Sequence, residues 1–179
     1  MAYTSPTTRA TGNTITAAIW NADMVDNVKW LAGDSGGKPS CRVFNSGTFS
    51  VTTATATAIT FDSEVRDNGG MHSTVSQTSR ITVPSGAAGY YIIGGSVTFD
   101  SNATGVRQVH VRLNGTLSLA ISESNSVSAN ALNQDVVTAY PLAVADYVEL
   151  VVYQTSGGNL NIQANNNYSP HFWVVYTGI

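Results

Sequence analysis

Residues Ile81 to Phe99 read ITVPSGAAGYYIIGGSVTF: a short β-branched run, a Pro-Ser-Gly turn, and a longer Tyr/Ile/Val run interrupted by Gly94 and Gly95. Val109 to Gly115 follows as VHVRLNG, a second strand-like run ending in Asn-Gly. That dipeptide is the signature of a tight hairpin, because it tolerates the positive φ that the turn demands. Beyond residue 40 the chain repeats the theme, with short Val/Ile/Thr/Tyr runs separated by Ser/Asn/Gly clusters. An antiparallel sandwich or barrel is the expected architecture.

The 179 residues suit one compact domain of about 140 residues with a small appendage. Only 11% of them are charged, against a usual share of about 25%. A surface that is polar but nearly uncharged fits an extracellular β protein, or a protein packed against copies of itself. The net charge of -3, with no Lys/Arg cluster, argues against nucleic acid as a partner. Cys41 is the single cysteine, so no intrachain disulfide can form, and in Ser40-Cys41-Arg42-Val43-Phe44 it reads as a small buried hydrophobe. No basic stretch followed by an apolar run opens the chain, and no run approaches a membrane span. The expectation is synthesis in the cytoplasm without classical export and without membrane insertion.

Residues 1–33 differ from the rest. After a Thr/Ser/Pro-rich start, Thr14 to Leu31 carries Ala18, Ile19, Val25, Val28 and Leu31 close to one helical face. Thr16 is the expected N-cap and Gly33 the expected stop. A helix of about four turns is marginal alone in water, so its apolar stripe requires a partner. Residues 34–39 form a short flexible linker, and 40–179 form the β head. Within the head, Ser50 to Phe61 alternates small and polar residues as one extended, partly exposed edge.

The head resembles the trimeric jelly roll of tumour necrosis factor and the complement globular heads. The residues that carry the likeness are Ile81-Thr82-Val83-Pro84 before Gly89-Tyr90-Tyr91, then Val97-Thr98-Phe99, Val111 to Gly115, Ala145 to Leu150 and the closing Phe172 to Tyr176. This resemblance implies an antiparallel jelly-roll sandwich, mainly β with a short N-terminal α-helix, and a threefold assembly. The N-terminal segment resembles a leader of tailed-bacteriophage structural proteins, through Thr16-Ala17-Ala18, Asn21 and Asp26-Asn27 before the last apolar turn. That likeness implies a virion protein whose N-terminus anchors to other particle proteins through Ile19, Trp20, Val25, Val28 and Leu31.

A sandwich strand with one buried face alternates apolar and polar residues. Val109, Val111 and Leu113 oppose Gln108, His110 and Arg112 in this way. Three other segments are apolar on both faces: Tyr90 to Ile93, Tyr147 to Tyr153 and His171 to Tyr176. The core covers one face of each, and a second copy is the economical cover for the other. Tyr90 or Tyr91, Tyr147, Tyr153 and Trp173 are the expected aromatic residues of that interface, and the resemblance makes the assembly a homotrimer.

Chemistry has little support. His72, His110 and His171 lie in separate segments, and no metalloprotease, nucleophile-elbow or phosphate-loop motif is present. The expectation is a protein without enzymatic activity, cofactor or catalytic residues. Asp62, Glu64 and Asp67 cluster in one loop, conceivable as calcium ligands, but Arg66 intrudes and the spacing is irregular, so solvated turn acids are the reading and no metal is assigned. Asn165, Asn166, Asn167 and Tyr168 form an amide-rich run that reads either as a loop or as a contact for a host surface glycan. Two functions follow: a short-fibre or decoration component of a virion, or a glycan-binding host-attachment protein.

Overall fold

The computed structural model describes residues 5–32, 38–126, 130–166 and 169–178. Gly33, residues 34–37 of the linker, Asn167 and Tyr168 lie outside the described residues. An N-terminal helix is followed by strands in two antiparallel sheets.

The helix begins where the sequence places it. Thr16 is extended, and its Oγ1 accepts a hydrogen bond from Ile19 N at 3.3 Å, capping α1 (Ala17–Trp20). A π-helical turn (Asn21–Val25) then leads into α2 (Asp26–Ala32). The extra residue of the π turn changes which side chains share a face. Asn27 and Trp30 therefore point inward, Ile19 and Val25 are half-buried, and Trp20, Met24, Val28 and Leu31 are exposed. The stripe expected from Ala18, Ile19, Val25, Val28 and Leu31 is thus split between two faces. Trp30 joins the head's core, edge-on to Tyr176 at 5.4 Å between ring centroids.

The strands are β1 (Ser40–Phe44), β2 (Phe49–Val51), β3 (Thr57–Ala58), β4 (Ser63–Asp67), β5 (Arg80–Thr82), β6 (Gly89–Phe99), β7 (Val106–Leu113), β8 (Leu117–Asn125), β9 (Leu132–Leu142), β10 (Tyr147–Gln154), β11 (Leu160–Ile162) and β12 (His171–Gly178). One sheet runs β4-β1-β12-β6-β9, and β11 and β2 continue it beyond the end of β12. The other runs β3-β10-β7-β8, with β5 also paired to β10. The Ser50 to Phe61 run is therefore two short strands in different sheets. Ala54, at φ +56°, turns the chain between them, and its N–H donates to Gln154 O at 2.7 Å.

The Ile81 to Phe99 stretch explains how the layers meet. Tyr91, Ile93, Val97 and Phe99 face inward along β6, and Gly95 sits among them. A Cβ at Gly95 would lie 2.8 Å from both the His171 carbonyl oxygen and Leu150 Cδ1 of the facing sheet, so only glycine lets the layers close here. The β7–β8 hairpin turns at Asn114 and Gly115, with φ of +49° and +73°, as the dipeptide requires. Val109, Val111 and Leu113 are buried as the alternation demands. Cys41 is buried in β1, and burial first, then the Asp67 and Glu64 charges, push its thiol far above the usual range. It is an inert packing residue.

Candidate functional site

The outward face of the larger sheet exposes several large apolar side chains. Cross-strand pairing sets Arg42, Trp173, Gly94 and Val137 in one row, and Ser40, Val175, Ile92 and Ala139 in the next. Trp173 lies across Gly94: a Cβ there would fall 2.5 Å from the indole and 3.0 Å from Val137 Cγ2. Tyr90 is 54% exposed and Val137 60%, with Ile92 and Val175 also exposed. Large apolar side chains side by side on a rigid sheet, without cover, mark an interaction surface. Ile92, Val137 and Val175 were not singled out from sequence. For Ile92 and Val175 the signal was present, since both belong to runs apolar on two faces.

The five aromatic residues expected at an interface do not share this surface. Tyr90 and Trp173 do. Tyr91 is in the core, where its hydroxyl donates to Ala87 O at 2.6 Å and its ring stands 5.3 Å from Tyr176. Burial, followed by the neighbouring Tyr176, raises its pKa well above the ordinary phenol value. Tyr147 and Tyr153 belong to β10, on the outward face of the opposite sheet. Polar interactions knit that face. Arg112 Nη2 donates to Glu149 Oε2 at 3.0 Å, Ser79 Oγ to Glu149 Oε1 at 3.0 Å, and the Arg80 guanidinium lies 3.9 Å from the Tyr147 ring centre.

His110 stands on that second face, with Nε2 2.9 Å from Gln108 Oε1. Burial first, then Arg112, hold its imidazole below the ordinary 6.5, against an opposing pull from Glu123. The folded protein therefore disfavours the proton that an unfolded chain accepts as pH falls through the ordinary value. This contribution to stability is intact above that value and is lost on acidification through the window below it. Denaturant midpoints measured between about pH 7.5 and 5.5 are expected to fall less steeply for His110→Gln than for the unaltered chain; equal slopes would remove His110 from the pH response.

The acidic loop does not converge on a point. Asp62 accepts from Ser46 N (2.9 Å) and Ser46 Oγ (2.6 Å); desolvation alone would raise its pKa, but hydrogen bonds from Ser46, Ser63 and its own backbone outweigh this and lower it. Glu64 Oε1 lies 2.9 Å from His72 Nδ1. Asp67 caps the following turn, accepting from the backbone N–H groups of Met71 (2.9 Å) and His72 (3.0 Å). Each carboxylate is committed to a separate structural partner. In the amide-rich run, Asn165 Nδ2 donates to Gln163 Oε1 at 3.3 Å, and Asn166 is exposed at φ +51°. His171 begins β12, beside Phe44 of β1 and Ser96 of β6.

A buried charge escaped the sequence reading. Arg107 lies in phase with Val109 and Val111 on the inward face of β7 and is 1% exposed. Its Nη1 donates to Thr104 O (2.8 Å) and Val106 O (3.0 Å), and its Nη2 to Asn102 O (3.1 Å), tying the β6–β7 connection to the sandwich. Period-two alternation, continued one pair back from Val109, would have found it.

No family model and no curated protein matches the sequence. Among solved structures the chain is similar to murine APRIL at pH 5.0, with 12% identity and a TM-score of 0.59 over 78% of this chain and 99% of that one. It is similar to the globular domain of zebrafish complement 1qA protein, with 13% identity and a TM-score of 0.55 over 79% of this chain and 100% of that one. Eiger TNF from S. frugiperda gives 12% identity and a TM-score of 0.53 over 78% and 91%. The head is an antiparallel jelly roll of the tumour-necrosis-factor and complement-head type. At such identities the likeness concerns fold alone. No helix among the described residues is long and apolar enough to cross a membrane.

Proposed function

We propose that the chain is a structural component of a tailed-bacteriophage virion, a short-fibre or decoration protein. In this reading three copies assemble through the outward face of the larger sheet, and the N-terminal segment anchors them to the particle. The observation that carries the anchor is the two-sided helix: Trp30 docks it on the head, while Trp20, Met24, Val28 and Leu31 face outward. One apolar face fixes the helix, and the other is left for another protein. The phage setting rests on the leader-like residues Thr16-Ala17-Ala18, Asn21 and Asp26-Asn27; the trimer rests on the exposed sheet and on the likeness of the head to tumour-necrosis-factor-type jelly rolls.

The test changes the outer stripe and leaves Trp30 alone, because removing the whole segment would also uncover Tyr176. Particles assembled with the Trp20→Asp/Val28→Asp protein are expected to lack it on mass spectrometry, while its melting temperature and solution mass stay those of the unaltered chain. Incorporation at the unaltered level would overturn the anchor.

A further inference from the structure

The π turn decides which way the N-terminal helix faces, and the side chains around it show what holds it. Asp26 N–H donates to Asn21 O, the five-residue step of a π turn. Asn27 is 6% exposed, and its Nδ2 donates back into the turn, to Asp23 O at 3.1 Å. The carboxylate of the same Asp23 accepts from Arg9 Nη2 at 2.9 Å, so the arm that precedes the helix is tied to the turn as well. Trp30 fixes the far end of the helix: its ring packs on Tyr176, and its carbonyl accepts from Lys38 N at 3.0 Å. Any change of phase within the turn must therefore rotate the residues that precede it.

An α-helix advances about 100° per residue, which would set side chains spaced like Trp20 and Trp30 about 80° apart. A π turn takes up one residue without advancing the phase, and the separation opens to about 180°. The exposures agree, at 53% for Trp20 and 7% for Trp30. The turn also offsets the drift of about 40° per step that a four-residue spacing has in an α-helix, so the exposed Trp20, Met24 and Val28 line up. A partly exposed ion pair such as Arg9–Asp23 is weak by itself, which leaves the buried Asn27 amide as the main hold. We propose that Asn27, assisted by Arg9, keeps the π turn, and that this turn sets Trp20 and Met24 opposite the docked face. This rests on the anchor reading above and names the positioning residue of that anchor.

The experiment reads the phase chemically. Cys41 is the single cysteine and is buried, so Trp20→Cys supplies the one thiol open to a maleimide. Its alkylation rate is measured in the otherwise unaltered full chain, with Arg9→Ala/Asn27→Leu added, and with that pair plus deletion of Ala22. Losing both holds is expected to let the segment become α-helical and swing position 20 about 100° toward the head, slowing alkylation about fivefold. Deleting Ala22 removes the surplus residue, so an unbroken α-helix again points position 20 outward and the rate is expected to recover. Recovery excludes lost packing around Asn27 as the cause, since the deletion restores none of its contacts. An unchanged rate after Arg9→Ala/Asn27→Leu overturns the inference, and so does a slowed rate that the deletion fails to restore. Incorporation into particles, measured in parallel with Trp20 retained, tests the anchor separately. A rate that slows and recovers while incorporation stays at the unaltered level overturns the anchor reading and leaves the role of Asn27 in the π turn standing.

Discussion

Val137→Arg is expected to leave a folded head that no longer associates. Val137 is 60% exposed on β9, so a longer charged side chain can extend into solvent within one copy, and the melting temperature should stay within a few degrees of the unaltered value. In an assembled ring the same side chain would carry an uncompensated charge into the apolar strip beside Trp173. That costs about 3 kcal/mol or more per contact, or about a hundredfold or more in each association step. On the proposed assembly, light scattering or sedimentation should therefore report one chain where the unaltered protein is expected to report three. An unchanged mass would mean that this face is not where copies meet.

The second large effect concerns Gly95, and it acts on the fold itself. A valine there would drive Cβ against the backbone carbonyl of His171 and the end of Leu150, each 2.8 Å away. Leucine can change rotamer, but the carbonyl belongs to β12, held by pairs on both sides, and cannot withdraw. Overpacking of this kind costs about 3 kcal/mol, which for a chain of this size corresponds to a melting temperature lower by about 6 to 12 °C. A melting curve within 2 °C of the unaltered one, on the order of less than 1 kcal/mol, would show that the layers are loose enough at this point to admit a side chain. Gly94, its neighbour, points the other way, toward Trp173, so the two glycines of one dipeptide serve different surfaces.

Much of the fold was legible because local chemistry and tertiary position agree. Asn114-Gly115 needs positive φ and finds it, Thr16 caps the helix it precedes, and Val109, Val111 and Leu113 alternate into the core. The misreadings arise where local pattern carries no such information. Tyr90 and Tyr91 are identical neighbours, and only the β6 register, with Gly95 and Val97 inward, decides that Tyr91 is the buried one. Tyr147 and Tyr153 look equivalent to Tyr90 in composition, but strand composition does not state which sheet a strand joins. Ala54 turns the chain at positive φ without the Gly or Asn that would announce it, so Ser50 to Phe61 read as one strand. The π turn at Asn21–Val25 re-phases the helix after Trp20, and a 3.6-residue period cannot anticipate it.

β9 also bears on what happens before copies meet. It is an eleven-residue strand, paired to β6 on one side, and among the described residues no further strand of its sheet follows it. A long open edge is a template on which another chain can add strands without limit. Two residues make that addition harder: Pro141 has no N–H to donate, and Asp135 resists stacking beside its own copy. Both features make the isolated head less prone to grow into fibrils through this edge.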